Sequence, residues 1–461
     1  MLPYDVIIVG CGPAGIFAAL ELTEKSDLKV LMLDKGPDIE KRLCPASRGF
    51  GCIRSCDPCF LLYGWGGAGA FSDGKLHIST DVGGWLSEYR SQSELETLAE
   101  KVDSIYLKFG APNRLYGTDL DAVDEIRRKA SLAGLSLIPV KLRHLGTEKC
   151  TEVLRAMRDY LKPRVEMRTR TDVAHLIVKD GRVEGVTTNK DEMFSARHVI
   201  LAPGRSGSEW LLSEGRRLGL QTVTNPVDLG VRVEVPAPVM DDLAQVLYEP
   251  KFVYYSKSFD DKVRLFCACP NGEVITELYD DVLTVNGQSY AEKKTQNTNF
   301  AVLVSTAFTE PFKEPIAYAK YIARLANIIG GGVIVQRLGD VKRGRRSTRE
   351  RIERSIVNPT LKTATPGDLS YVLPYRYLSD ILEMLEAMDK VSPGVYSDHT
   401  LLYGVEVKFY SSRPELNEHL ETPVKGLYAA GDGAGVTRSL VQASMSGIIA
   451  AQGILNNETA A

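Results

Sequence analysis

Residues 5–15 read DVIIVGCGPAG, a short apolar run followed by three glycines with the spacing G-x-G-x-x-G. The run predicts a buried parallel strand, and the apolar residues that recur from Pro13 to Lys25 predict a helix. A glycine turn between such a strand and helix is typical of a dinucleotide-binding loop, because its backbone approaches a diphosphate closely and the helix N-terminus favours an anion. We therefore predict a dinucleotide site formed by Gly10, Gly12, Pro13, Ala14 and Gly15.

A second apolar run, residues 30–33, ends in Asp34 and completes a strand–helix–strand unit. A carboxylate at this position is placed to accept hydrogen bonds from ribose hydroxyls, and it would repel a 2′-phosphate. We predict that Asp34 and the adjacent Lys35 belong to the dinucleotide site.

Two later segments add to this site. Residues 426–435 read GLYAAGDGAG and resemble the second flavin motif of glutathione-reductase-type flavoproteins, while residues 200–204 (ILAPG) resemble the middle motif of that fold, with Pro203 where threonine is usual. The order of the three motifs predicts FAD rather than NAD. A helix over Val436–Ala451 is expected to direct its N-terminal amides at the flavin. Further predicted cofactor-binding residues are Val173, Ala202, Gly204, Gly431, Asp432 and Val436.

Two related classes of flavoenzyme are disfavoured. Gly330–Gly332 precede an apolar run instead of following one, so a separate NAD(P) domain of the disulfide-reductase kind is not expected. Aromatic-ring hydroxylases usually carry a histidine shortly after the Gly-Asp pair, where this chain has Gly433-Ala434-Gly435.

Residues 44–75 combine a cysteine-rich segment with a glycine loop. The cysteines Cys44, Cys52, Cys56 and Cys59 follow the spacing C-x7-C-x3-C-x2-C. Four interpretations stay open: an iron–sulfur cluster or a zinc ion, a redox-active dithiol at 56–59, adventitious disulfides, and separate thiols in a compact loop. Because only glycine lets backbone run so close to a flat ring, the following loop is expected to contact the flavin through Gly66, Gly67 and Ala68.

The pattern of elements predicts an α/β fold. We expect a Rossmann-like FAD-binding domain of three layers (ββα) with an inserted α+β substrate domain. The predicted bounds are 1–207 and 401–461 for the two parts of the FAD-binding domain and 208–400 for the insertion. In the insertion, predicted strands replace the alternation of strand and helix that is seen at the start of the chain.

Composition limits the partners. The net charge of −3 provides no basic field for nucleic acid. No run of about 18 apolar residues and no signal-peptide pattern occurs, so we expect no membrane span and a cytoplasmic location. The expected partners are a small-molecule substrate and an external electron donor or acceptor.

Catalytic residues cannot be assigned from the sequence, but four candidates stand out. Arg345 and Arg346 lie in the basic stretch 342–351, which is either the solvated start of a helix or an anion clamp capped by Ser347 or Thr348. Lys408 is an unusual residue for a core strand and is a candidate for binding an anionic substrate, while His144 is a candidate proton donor.

Several segments together resemble one known family. These are Cys44-Pro45, residues 66–76, Gly344–Thr348, residues 407–411 and residues 431–442. They are similar to FAD-dependent dehydrogenases, also described as NAD(P)/FAD-dependent oxidoreductases, of bacteria, archaea and plastids. The resemblance implies FAD and an oxidoreductase fold, and it does not supply a substrate.

The expected function is that of an FAD-dependent oxidoreductase, either a dehydrogenase or a reductase, which passes hydride or electrons between a small, anionic substrate and flavin N5. Two alternatives stay open. One is a flavin-dependent reductase, which receives electrons from a ferredoxin-type donor and reduces an unsaturated substrate. The other is a non-catalytic flavin and thiol redox sensor.

Overall fold

A computed structural model of the chain describes residues 4–44, 56–223, 225–279, 282–290, 293–306, 314–408 and 413–460. The chain divides into two compact units. The first unit comprises Met1–Asn113, Arg143–Asn225 and Tyr410–Ala461, and the second comprises Arg114–Leu142 and Pro226–Phe409.

The described residues form eleven α-helices and twenty-two strands. The helices are α1 (Pro13–Lys25), α2 (Gln92–Lys108), α3 (Leu120–Leu132), α4 (Thr147–Leu161), α5 (Ser208–Arg217), α6 (Ala237–Leu247), α7 (Pro315–Gly330), α8 (Leu338–Val341), α9 (Arg349–Glu353), α10 (Tyr375–Asp389) and α11 (Leu440–Ala460). The strands are β1 (Val6–Val9), β2 (Val30–Asp34), β3 (Lys75–Ile78), β4 (Ser136–Leu137), β5 (Lys141–His144), β6 (Glu166–Thr169), β7 (Val173–Lys179), β8 (Arg182–Thr188), β9 (Met193–Ser195), β10 (His198–Leu201), β11 (Thr222–Val223), β12 (Val227–Pro236), β13 (Phe252–Tyr255), β14 (Lys262–Cys269), β15 (Glu273–Tyr279), β16 (Val282–Gln288), β17 (Asn297–Thr306), β18 (Ile334–Arg337), β19 (Thr365–Pro366), β20 (Leu401–Lys408), β21 (Arg413–Pro414) and β22 (Leu427–Ala429).

The first unit contains a parallel sheet with the strand order β22-β10-β1-β2-β6. All residues of β1 and β2 are buried, as expected where both faces of a parallel sheet are covered. Helices α1 and α11 pack against each other, and the antiparallel meander β7-β8-β9 contacts the sheet through β8 and β10. Helices, parallel sheet and meander share one apolar core. The predicted three-layer Rossmann-like fold is therefore confirmed.

The last helix begins later than the sequence pattern predicts. Helix α11 starts at Leu440, whereas the prediction was Val436. Gly435 adopts φ +71°, which ends a short helical turn over Asp432–Ala434. Val436 then accepts a hydrogen bond from the Trp85 N–H (2.9 Å), so this segment is held in an extended form by a neighbouring loop. The predicted start was wrong because a long-range backbone pairing replaces the first helical turn.

The second unit is built on an eight-stranded sheet with the order β19-β18-β20-β12-β17-β14-β13-β4. Its strands are antiparallel except for the pair β18 and β19. The apolar core of this unit includes side chains from α3, α6, α7 and α10. Residues Arg114–Leu142 belong here, outside the predicted insertion 208–400, because the buried side chains of α3 enter this core and β4 pairs with β13.

Candidate functional site

The turn between β1 and α1 is shaped by three glycines with different surroundings. A Cβ atom on Gly10 would lie 2.0 Å from the Ala202 carbonyl oxygen, and one on Gly15 would lie 2.0 Å from the Gly10 oxygen. A Cβ on Gly12 would meet, among the described atoms, only the Cα of Gly67 at 3.8 Å. Gly12 precedes the first turn of α1, where no described side chain caps the amides. The turn is therefore an open cradle with hydrogen-bond donors for an anionic diphosphate.

A second glycine loop lies against this turn. The Gly66 N–H donates to the Cys11 carbonyl (2.7 Å), and a Cβ on Gly67 would lie 3.0 Å from the Gly12 Cα. Gly66 and Gly67 have φ of +85° and +54°, a conformation that favours glycine. Ala68 follows them and is exposed. The structure thus brings the two predicted glycine segments together.

Arg42 holds the glycine loop in place, and no sequence motif marks it. Its guanidinium donates to four backbone carbonyls at 2.6–2.9 Å, those of Phe60, Leu61, Trp65 and Gly67. The side chain is 4% exposed, and burial lowers the pKa of Arg42 to about 10, so it stays protonated at neutral pH. The only signal in the sequence is a cation shortly before a loop rich in cysteine and glycine, which is not specific.

Asp34 joins three loops through its carboxylate. Oδ1 accepts from the N–H groups of Gly36 and Gly64, and Oδ2 accepts from that of Cys11, each at 2.8 Å. Burial raises the pKa of Asp34, while the three N–H donors and nearby Arg42 oppose that shift. A ribose hydroxyl bond to Asp34 stays a prediction, and Oδ2 retains capacity for it because a carboxylate oxygen accepts two hydrogen bonds.

Two other predicted residues lie near the end of β2. Lys35 forms an ion pair with Asp172 (3.3 Å). Val173 begins β7 and is buried, and the Thr171 N–H just before it donates to the Asp34 carbonyl (2.8 Å). The chain that leads into the meander therefore runs beside the end of β2.

The middle and C-terminal motifs meet at the same turn. A Cβ on Gly433 would lie 2.4 Å from the Gly204 carbonyl oxygen, and one on Gly431 would lie 3.1 Å from the Ala14 Cβ. In α11, a Cβ on Gly447 would lie 2.0 Å from the Ala14 oxygen. Glycine is needed at positions 433 and 447 because backbone there lies directly against the backbone of Gly204 and Ala14.

Asp432 is held by two neighbours. Its Oδ1 accepts from the Thr437 hydroxyl (2.7 Å), and its Oδ2 lies 3.3 Å from Nε of Arg205. The side chain is 18% exposed, so it is oriented without being sealed from a ligand. The sequence motif identified the aspartate but neither of the residues that position it.

We expect Asp432→Ala to weaken FAD binding about 10- to 150-fold, because a hydrogen bond to a charged group contributes about 1.5–3 kcal/mol. Lys408→Ala serves as the matched control, with an expected change in Kd below about twofold. The measurement is titration of the flavin-free protein with FAD, followed by flavin fluorescence. An equal loss of affinity in both variants would show that one of the two residues is misassigned.

The cysteine segment is described only in part. Cys52 lies outside the described residues, whereas Cys44 is buried and Cys56 and Cys59 are partly exposed. Arg42 lies close enough to Cys59 to interact with it electrostatically. Within the described ranges, no group of three or more His, Cys, Asp or Glu side chains is arranged to hold a metal ion. The four interpretations of these cysteines therefore stay predictions.

The basic stretch is tied to one buried carboxylate. Asp340 is 1% exposed and accepts from Arg345 Nε (2.8 Å) and the Ser347 hydroxyl (2.7 Å). Thr348 caps α9 by accepting from the Arg351 N–H, as expected for a helix start. Arg346 is exposed. This arrangement accounts for the stretch structurally, and an anion clamp there stays a prediction.

The other two catalytic candidates lie in strands. Lys408 ends β20, is 8% exposed and pairs with Glu406 (3.1 Å). His144 ends β5 and is partly buried. It follows Arg143, whose buried guanidinium binds Asp103 at 2.7 Å.

Two models of known protein families match the chain. A family model described as FAD dependent oxidoreductase matches residues 5–285, and one described as FAD-dependent protein, C-terminal domain-like, matches residues 226–409. The chain is 27% identical over 477 residues to an uncharacterized protein of Clostridium beijerinckii, with 97% of this chain and 80% of that protein covered.

Solved structures similar to the chain include a glycine oxidase and an L-proline dehydrogenase. Glycine oxidase from Geobacillus kaustophilus is 14% identical, with a TM-score of 0.41 and coverage of 98% of this chain and 95% of that one. L-proline dehydrogenase from P. horikoshii is 11% identical, with a TM-score of 0.42 and coverage of 99% and 94%.

Helices of membrane-spanning length and hydropathy are not found among the described residues.

The family match extends over more than half of the chain, from residue 5 to residue 285, and includes the glycine turn and the glycine loop. The chain therefore belongs to the family of FAD-dependent oxidoreductases.

Proposed function

We propose that this oxidoreductase passes hydride or electrons between a small, anionic substrate and N5 of the flavin. The observation that carries the proposal is the open space beside Gly12. Backbone atoms of the described residues border this space, and no described side chain fills it. When bound, FAD supplies a ring that takes up or releases a hydride at N5.

The residues of the first unit are suited to hold this cofactor. The amides at the start of α1 would bind the diphosphate, and Asp432 would accept from the sugar chain of FAD. The backbone of Gly66, Gly67 and Ala68 would lie along the ring, with Arg42 fixing its course. These roles rest on the cradle geometry and on the motifs in the sequence.

Lys408 is the candidate cation for the substrate. Burial by itself lowers the pKa of Lys408, but the combined attraction of Glu406, Glu277, Cys267 and Tyr279 outweighs it and raises the pKa overall, so the ammonium group is kept. Arg345 is exposed, so water and salt screen its charge, which leaves it less suited to select an anion. We therefore propose that Lys408 recognises the anionic group of the substrate.

The test is anaerobic reduction of the FAD-loaded protein by small carboxylates, each offered with its neutral methyl ester. Loss of the visible flavin absorption is expected with a carboxylate and not with its ester. Lys408→Met should raise the concentration needed for half-maximal reduction at least tenfold while the FAD content stays unchanged. Equal reduction by acid and ester, or no effect of Lys408→Met, would contradict recognition of an anion.

A second candidate function is that of a flavin-dependent reductase, which receives its electrons from an external donor. It is favoured by the position of Cys59, since Arg42 interacts with this cysteine and also binds the carbonyl of Gly67 in the cradle. We propose that Cys44, Cys52, Cys56 and Cys59 act as one redox or metal-binding unit beside the flavin.

For this unit we expect anaerobically purified protein to contain iron or zinc, or the flavin reduction potential to change in Cys56→Ser and Cys59→Ser. The measurements are elemental analysis and a spectroscopic redox titration. Cys150→Ala is the matched control, because this buried thiol belongs to α4. The proposal would be contradicted if the protein contained neither metal and the flavin reduction potential were the same in all variants.

A further inference from the structure

A polar cluster lies inside the sheet of the second unit, around the fully buried Arg232 of β12. Its Nε donates to the Asn299 amide oxygen (2.8 Å), and its Nη2 donates to the Cys267 carbonyl (2.6 Å) and to Sγ of Cys269 (3.1 Å). A Cβ on Gly287 would lie 1.9 Å from Nη2, so the neighbouring strand β16 leaves room for the guanidinium only because it carries glycine there.

Two cations of this cluster, Arg232 and Lys408, lie near Cys267. Glu406 is also fully buried, and its Oε1 lies 3.1 Å from Lys408 Nζ and 3.5 Å from Arg232 Nη1. Both cations are close enough to Cys267 to interact with it electrostatically. The acidic groups that face them are Glu406, Glu277 and Tyr279. Cations beside a thiol favour its thiolate form, which is the reactive one.

The backbone at Cys267 departs from a regular strand. Cys267 has φ +55°, and the pairing of β14 with β17 shifts register between Phe266 and Cys269. In a regular strand the Cα atoms of residues i and i+2 are about 6.7 Å apart, at the upper limit for a disulfide. Here the register shift interrupts the regular strand, and Cys269 Sγ lies 3.5 Å from the Cys267 carbonyl oxygen. The second sulfur therefore lies within reach of residue 267.

We propose that Cys267 and Cys269 form a redox-active thiol pair, which a peroxide oxidises to an intramolecular disulfide. The Cys267 thiolate attacks a peroxide oxygen, so that an S–O bond forms, the O–O bond breaks and hydroxide leaves. The Cys269 thiolate then attacks this sulfur, so that the S–S bond forms and a second hydroxide leaves. The two protons given up by the thiols convert the hydroxides from hydrogen peroxide to two waters, and two electrons pass from the pair to the peroxide.

The solvent exposure of the two cysteines indicates which of them reacts first. Cys267 is partly exposed and meets the peroxide first, whereas Cys269 is 0% exposed and acts as the resolving thiol. Arg232 holds the Cys269 sulfur in place for the second step. The pair lies on one strand of the second unit, apart in sequence from the cysteine segment 44–59. Lys408 lies near Cys267, but oxidation of the pair by peroxide does not require the proposed substrate.

The test uses the full-length protein with FAD bound, treated with hydrogen peroxide, then unfolded, alkylated and analysed by peptide mass spectrometry. We expect a disulfide between Cys267 and Cys269 that a dithiol reductant reverses. Cys11 and Cys150 are internal controls in the same sample, since burial raises the pKa of Cys11 well above its usual value and that of Cys150 to about 12. Both should stay alkylatable.

Two variants separate the roles. In Cys269→Ser, Cys267 should accumulate as a sulfenic acid that a cyclic 1,3-diketone traps. In Cys267→Ser, Cys269 should stay reduced at the same peroxide dose. The proposal is overturned if both thiols of the wild type remain alkylatable at a dose that oxidises free glutathione, or if Cys267→Ser leaves Cys269 as readily oxidised as before.

Discussion

Replacing Gly12 with valine abolishes retention of FAD, and the purified variant is expected to be colourless. The reason is the space around this residue. A Cβ at Gly12 has, of the described atoms, only the Gly67 Cα within 4 Å, at 3.8 Å. The valine side chain is therefore tolerated by the folded protein and occupies the cradle instead. The measurements are the ratio of flavin to protein absorbance and reconstitution of the flavin-free protein with FAD.

Gly215→Ala is the matched control for this substitution. Gly215 lies in α5, where a Cβ would meet Leu220 at an ordinary 3.9 Å, so FAD retention is expected to equal that of the wild type. Gly12→Val should unfold like the flavin-free wild type, which distinguishes loss of cofactor from loss of fold. A Gly12→Val protein that purifies with full FAD content would refute the cradle.

Arg42→Met is expected to lower the free energy of unfolding of the first unit by on the order of 3–5 kcal/mol, because it leaves up to four partly buried carbonyls without a donor. It also removes the guanidinium that lies 4.9 Å from the Phe71 ring centroid. Since the glycine loop loses its support, FAD affinity should fall as well. The chain has three tryptophans, at positions 65, 85 and 210, all within the first unit, so tryptophan fluorescence during urea unfolding reports on this unit.

Arg155→Met makes the same chemical change at a different site. The Arg155 side chain is 41% exposed and pairs with Glu40 at 2.6 Å. Exposed ion pairs contribute about 0–1 kcal/mol, so little change in stability or FAD affinity is expected. If both variants unfolded at the same urea concentration, Arg42 would not have the supporting role assigned to it.

Local sequence determined the elements that have strong local signals. The bounds predicted for α1 agree with the structure, because amphipathic periodicity and the glycine and proline at its start specify a helix without distant contacts. The dipeptide Asp180-Gly181, a strong local turn signal, joins β7 and β8, and both residues adopt positive φ. The ordered glycine motifs also predicted FAD, which the family match supports.

Only the tertiary structure decided which distant residues complete the site. Arg42 binds carbonyls 18–25 residues away, and Asp34 accepts from the amides of Cys11 and Gly64, which are 23 and 30 residues away. Residues Arg114–Leu142 join the second unit through packing of α3, and α11 starts late because residues 83–85 pair with the segment before it. Each of these features depends on contacts between residues far apart in the chain, whose geometry no local pattern of residues specifies.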